Sequence, residues 1–214
     1  PSAIKKEGSK GLAFKACGTG PYVFKEFKPG ERLLVEKNPA YRVAGLPKLD
    51  SINWVTVPEN STRASMILTG EADYVHNLAP ELVERTSANE SVNVFNSPSI
   101  YERYLAINVS KKPFTDERVR KAIAYAINKE AFAKVVFGGY ARPAEGVIPS
   151  NIPGAKRFGV WPYDPKKARE LLKEAGYPNG FKTKLWSAFN TSTDIKALQF
   201  LQQQLRQVGI SAEV

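Results

Sequence analysis

The chain has 214 residues, 43% of them hydrophobic, which is enough for one large core or two small ones. Lysine and arginine number 31 against 21 acidic residues, a formal charge of +10, but the basic residues are dispersed (Lys5, Lys6, Lys10, Lys15, Lys111, Lys112, Lys166, Lys167), which reads as a basic surface with modest attraction for anions rather than a nucleic-acid stripe. No apolar run reaches the roughly 18–20 residues needed to span a bilayer, and the lone Cys17 excludes an internal disulfide and a cysteine metal cluster and reads as a small packed hydrophobe.

Residues 22–27 and 33–37 flank Pro29-Gly30 and predict a hairpin. A strand follows at 52–57, then a short helix over 62–68 capped by Ser61 and ended by Gly70. Further strands are expected at 72–76 and 92–95, with a helix opening at Pro80 between them. Strands alternating with helices predict an α/β sheet with crossover connections. The pattern changes after Ser97-Pro98-Ser99. A strand is expected at 103–108, then the longest helix, from Thr115 to Gly138-Gly139, with Val119, Ala122, Ile123, Ala126 and Ile127 on one face.

Residues 140–162 are rich in Pro and Gly without a period, as long loops that cover or bind something are. The next segment is fully punctuated. Asp164 can cap, Pro165 takes the first helical position, Ala168, Leu171, Leu172 and Ala175 form one apolar face, and Gly176 and Pro178 stop the helix. A strand over 182–187, a polar loop over 190–193, a helix over 194–208 closed by Gly209 and a strand from Ile210 complete the chain.

Several motifs, in order, carry a resemblance. They are Gly18-Thr19-Gly20-Pro21-Tyr22 with Asn38-Pro39-Ala40-Tyr41, Thr69-Gly70-Glu71-Ala72-Asp73, Leu105-Ala106-Ile107-Asn108, the run from Pro113-Phe114 through Asp116, Val119, Arg120 and Ala122, and the YDPKKARELLKEAGYPNGF helix over 163–181. Together they resemble the solute-binding proteins that feed ABC importers of peptides, glutathione and nickel. Wording at 44–52, 97–100 and 185–187 leading to 202–205 resembles the glutathione-binding branch.

The resemblance implies an α/β, periplasmic-binding-protein-like fold (type II, large peptide-binding class), with mixed sheets flanked by helices. The chain then looks like a middle fragment holding parts of two lobes. Residues 1–98 would belong to lobe I and 99–214 to lobe II, with an interlobe crossover near 97–103 and Ser97 and Pro98 at the hinge. No signal peptide is read at Pro1, and a mature periplasmic fragment would have lost one.

A zwitterionic peptide needs a cation for its carboxylate and flat apolar walls, and arginine suits the carboxylate best. The candidate ligand residues are Ser99, Tyr101 and Arg103 beside the crossover, and Trp186, Asn190 and Thr191 around a strand-end loop. In dipeptide-binding relatives the comparable loop carries an arginine that takes the ligand carboxylate. Here it carries Asn and Thr, which favours a different ligand. Trp161 would wall the cleft or pin its loop.

The expected function is capture of a short peptide, glutathione above all, for delivery to importer permease subunits, with membrane association only through the importer. No cofactor, metal or nucleic acid is expected. His76 is the only histidine, and no P-loop, G-x-S-x-G, H-E-x-x-H or dinucleotide fingerprint is present, so no enzyme is expected. Capture of a dipeptide, oligopeptide or other small solute, and a sensory or interaction role on the same fold, are the alternatives.

Overall fold

The hairpin forms where Pro29-Gly30 placed it. The computed structural model describes residue 16, residues 18–189 and residues 191–214. The expectations for Cys17, Asn190 and the lysines at 5, 6, 10 and 15 lie outside the described residues. Strand β1 (Tyr22–Lys28) pairs antiparallel with β2 (Arg32–Lys37), from Tyr22 opposite Lys37 to Lys28 opposite Arg32, with a bulge between Phe24 and Glu26. Gly30 takes the left-handed conformation (φ 77°) the turn requires, and the Glu31 N–H closes it on the Lys28 carbonyl at 3.0 Å. Strand β3 (Ser51–Val55) adds antiparallel to β2. The sheet is therefore a meander in the order β1-β2-β3, not the crossover sheet the alternating pattern suggested.

Helix α1 (Asn60–Thr69) follows and ends at Gly70 (φ 74°). Its N-cap is Glu59, which makes no side-chain cap bond, and not Ser61. Arg63 reaches back instead, donating to the carbonyls of Val57 at 2.7 Å and Pro58 at 2.8 Å. The segment 72–76 forms no strand, and Asn77 turns the chain at φ 57°. Packing separates one compact unit ending at His76 from a second, Asn77–Val214. That division falls upstream of the boundary expected at residue 98.

The second unit opens with α2 (Pro80–Ser87), Pro80 in its first turn as expected. Residues 92–95 and 103–108 run irregularly. A strand exists only where a neighbour accepts its ladder, and no sheet among the described residues includes them. The expected long helix is two: α3 (Glu117–Ala126) and α4 (Lys129–Phe137). Ile127 between them is extended (φ −105°, ψ 116°), and the Asn128 side chain caps α4 by accepting from the Ala131 N–H at 2.9 Å. The Lys129 ammonium donates to the carbonyls of Ala124 (2.9 Å) and Ile127 (3.2 Å) at the break, and to that of Trp161 (3.2 Å).

Helix α5 (Pro165–Glu174) is capped by Asp164, which accepts from the Lys166 and Lys167 N–H groups. Strand β4 (Lys182–Lys184), helix α6 (Ser192–Arg206) and strand β5 (Ser211–Glu213) make a parallel β-α-β unit, with Thr183 opposite Ala212. Its core gathers Val119, Ala122, Ile123 and Ala126 of α3, Ala168, Leu171 and Leu172 of α5, and Leu185, Leu205, Val208, Ile210 and Ala212. Each large side chain buried there contributes about 1.5–3 kcal/mol by removal from water. This core holds β4 still, and the chain leaving β4 leads to the candidate site.

Candidate binding site

Strand alternation sends Leu185 and Trp186 in opposite directions after β4. Leu185 is buried and its N–H donates to the Glu213 carbonyl at 2.7 Å, while Trp186 is 89% exposed. Trp186 is thus not a core residue. Phe189 is also exposed, and its N–H donates to the Ser187 hydroxyl at 3.2 Å. The loop returns at Thr191, the N-cap of α6, whose hydroxyl accepts from the Asp194 N–H at 3.2 Å.

Among the described residues Asp194 is the one buried charged residue, with its side chain 2% exposed. One oxygen, Oδ2, accepts from the Thr191 hydroxyl, and the other, Oδ1, accepts from Nη1 of Arg103. Burial pushes the Asp194 carboxyl up, but the Thr191 hydroxyl and the Arg103 guanidinium outweigh it and hold the group below its ordinary value. The aspartate is therefore ionised at neutral pH and the pair is charged.

Arg103 lies against two rings, with its Cζ 5.8 Å from the Tyr101 centroid and 5.5 Å from that of Phe137. Both distances are within cation–π range. Phe137 continues into an aromatic row, edge-on to Phe132 at 5.8 Å, which meets Phe200 of α6 at 5.5 Å. Tyr101 itself is exposed, and its N–H donates to the Ser99 hydroxyl at 2.9 Å, a local turn that orients the ring. Near the start of α6, the Ser192 hydroxyl donates to Glu81 of α2 at 3.3 Å.

The structure thus brings Ser99, Tyr101, Arg103 and Thr191 into one connected group, with Trp186 and Phe189 exposed on the loop that enters α6. Ser97 and Pro98 sit in irregular, exposed chain just before it. Trp161 lies elsewhere, edge-on to Tyr125 at 5.3 Å with its carbonyl held by Lys129, so it pins the long loop. Burial pushes the Lys129 ammonium down, against a smaller opposing pull from Glu130. Sequence reasoning missed Asp194 and Phe137. The signal for Asp194 was present: Thr191-x-x-Asp194 has the spacing of a capping box, which marks an acid aimed at its own helix start.

Among the described residues, no cluster of three His, Cys, Asp or Glu side chains could hold a metal ion, and no helix is long and apolar enough to cross a membrane. What the group offers is an oriented guanidinium, flat aromatic walls and hydroxyls, which suits a polar ligand with an anionic end.

Residues 1–214 match the family described as bacterial extracellular solute-binding proteins, family 5 Middle. The chain is 50% identical over all 214 residues to the glutathione-binding protein GsiB of Escherichia coli K12, and equally to that of Pectobacterium atrosepticum. It covers 42% and 41% of those relatives, so it spans about two fifths of their length. Among solved structures, the periplasmic binding protein DppA of Helicobacter pylori in complex with the peptide STSA superposes with a TM-score of 0.87 at 34% identity, covering 99% of this chain and 41% of that one. The dipeptide-binding protein of Pseudoalteromonas in complex with Met-Leu gives 0.86 at 26% identity, with 99% and 43% covered. The fold is that of the periplasmic peptide-binding proteins, mixed α/β.

Proposed function

Because this chain belongs to the bacterial extracellular solute-binding proteins of family 5, we propose that the complete protein is the ligand-binding component of an ABC importer and that its ligand is glutathione. The observation that carries this reading is the 50% identity over the whole chain to glutathione-binding proteins. Chemistry at the site supports it. Glutathione is a polar peptide with two carboxylates, and Arg103 stands between aromatic walls beside a loop with no arginine of its own, Ser187-Ala188-Phe189-Asn190-Thr191-Ser192-Thr193.

In this reading Ser99, Tyr101, Arg103, Trp186, Asn190 and Thr191 make up the ligand site. Residues 1–98 contribute to one lobe and 99–214 to the other, and Ser97 and Pro98 absorb the rotation that closes the lobes. The protein works in the periplasm and hands its ligand to permease subunits, without chemistry of its own. Capture of ordinary peptides is the second reading, favoured by the STSA and Met-Leu complexes of the structural relatives.

Calorimetry on the complete polypeptide with reduced glutathione, oxidised glutathione and a dipeptide panel tests it. Glutathione should bind more tightly than any dipeptide. A dipeptide that binds as tightly as glutathione hands the argument to the second reading.

A further inference from the structure

An arginine that recognises a carboxylate must present two parallel N–H bonds along one edge of its guanidinium. A free arginine side chain gives up about 2 kcal/mol of rotamer entropy to hold that geometry, so fixing it in advance is a direct gain in affinity. Arg103 is fixed in advance. Its Nη1 is bonded to Asp194, and its Cζ lies over the rings of Tyr101 and Phe137.

The manner of the bond matters more than its presence. A carboxylate with both oxygens free would take the guanidinium by two N–H groups and cover an edge. Asp194 does not, because its Oδ2 is committed to the Thr191 hydroxyl and only Oδ1 reaches Nη1. Among the described residues the Nε–Nη2 edge, the side-on fork of the guanidinium, meets no acceptor, and the side chain remains 35% exposed. Asp194 itself is 2% exposed and sits on the first turn of α6, whose packing against the core fixes it.

We propose that Asp194, oriented by Thr191, is a positioning residue that holds Arg103 by one nitrogen and leaves its Nε–Nη2 edge to take a ligand carboxylate. This rests on the reading of the protein as a peptide receptor and adds to it a division of labour. Thr191 serves Asp194 rather than the ligand, Asp194 serves Arg103, and Arg103 alone of the three touches the carboxylate. It also ties the 99–103 segment to α6 across 91 residues of sequence, so that any hinge rotation lies before Tyr101.

The test compares glutathione with its two mono-amides on the complete polypeptide, by calorimetry, together with the NMR signal of the Arg103 Nε–H. One amide should bind about tenfold more weakly than glutathione, the scale of a charge-assisted pair. Arg103→Ala should abolish that acid-over-amide ratio, and Asp194→Asn should reduce it to about threefold. Asp194→Asn added to Arg103→Ala should change nothing further, as coupled residues behave. Glutathione should also shift the Nε–H signal.

If Asp194→Asn fails to fold, Thr191→Val replaces it. Freeing Oδ2 should let Asp194 cover a second guanidinium N–H and lower the same ratio. A merely structural pair would lower the melting temperature of Asp194→Asn and leave the ratio unchanged, and that result overturns the proposal. So does an Nε–H signal that ignores a bound ligand. If glutathione does not bind but another peptide with a free carboxylate does, the function reading fails and the pair is judged on that peptide and its amide. If no carboxylate ligand binds at all, both fail.

Discussion

The two compact units use the same composition to opposite ends. In the second, helices and a β-α-β unit close on one core, and Val119, Ala122, Ala168 and Ile210 have no exposure at all. In the first, the three-stranded meander leaves Val23, Phe27, Trp54 and Val55 at 40–52% exposure, and Pro47 and Ala64 are the buried residues among the described ones. A three-stranded sheet with a bare face is near the lower limit of independent stability, whereas a helix-covered core is well above it. Stability therefore concentrates in the unit that also holds Arg103 and Asp194.

The largest test of this contrast uses two glycines with positive φ. Gly180 (φ 73°) leads into β4, and a Cβ there would overlap the carbonyl of Gly209, whose Cα lies 2.9 Å away. Gly30 (φ 77°) has the same handedness in the first unit but open space around it. Gly180→Ala should cost about 4 kcal/mol, strain plus overlap, and Gly30→Ala about 1 kcal/mol from strain alone. Urea unfolding midpoints check it, and equal losses would mean that Gly180 and Gly209 do not hold each other at that approach.

A second comparison truncates apolar side chains. Leu172 is 1% exposed at the centre of the α3–α5 packing. Leu172→Ala should cost about 3 kcal/mol, and Val23→Ala, at 43% exposure, less than about 1 kcal/mol. Hydrogen exchange should agree, with the slowest amides in α3 and α5. Slowest exchange in β2 would reverse the contrast.

Which parts were legible in the sequence follows from the same physics. Helix α5 was written out locally, because Asp164, Pro165, Gly176 and Pro178 each act within a few residues of themselves. The Pro29-Gly30 hairpin was legible for that reason too. Strands at 72–76, 92–95 and 103–108 were expected from composition and did not form, since a strand also depends on a neighbour that local pattern does not supply. The break at Ile127 was hidden because the apolar period of α3 runs up to it, and only Asn128 and Lys129 mark it. At the site, residue types could be nominated one by one. Asp194 could not be joined to Arg103, because a pairing across 91 residues leaves no periodic trace.

Acid should distinguish the units next. In the first unit Glu26 feels burial pushing its carboxyl up, and Arg32 and Lys28 carry it below its ordinary value, in an ion pair 2.6 Å long at the surface. Asp194 is depressed as well, but its side chain is almost fully buried. A carboxyl depressed by folding stabilises above its unfolded value, about 4, and loses that contribution as pH falls through the folded one. The gap in unfolding midpoint between the parent and Asp194→Asn should be full at neutral pH and shrink below about pH 4. At about 1 M salt, where screening acts within roughly 3 Å, the effect of Glu26→Gln should vanish while that of Asp194→Asn persists. An Asp194 effect that salt removes would place that carboxylate in water.

The smallest effect compares helix starts. Asp164 accepts from two N–H groups of α5, at 3.0 Å from Lys166 and 2.9 Å from Lys167. Glu59 occupies the same position at α1 with no side-chain cap bond, and the Arg63 guanidinium reaches past it to the Val57 and Pro58 carbonyls. Asp164→Ala therefore exposes donors that the cap had satisfied and should cost about 1 kcal/mol. Glu59→Ala removes no such bond and should stay within about 0.5 kcal/mol. Introducing Asp at the cap of α1, Glu59→Asp, should instead add a few tenths to 1 kcal/mol, roughly what a new cap supplies. Midpoints from urea unfolding resolve changes of this size only as differences between variants run side by side. An Asp164→Ala loss no larger than that of Glu59→Ala would show that α5 is held by its buried face alone, with Ala168, Leu171 and Leu172 sufficient to start it.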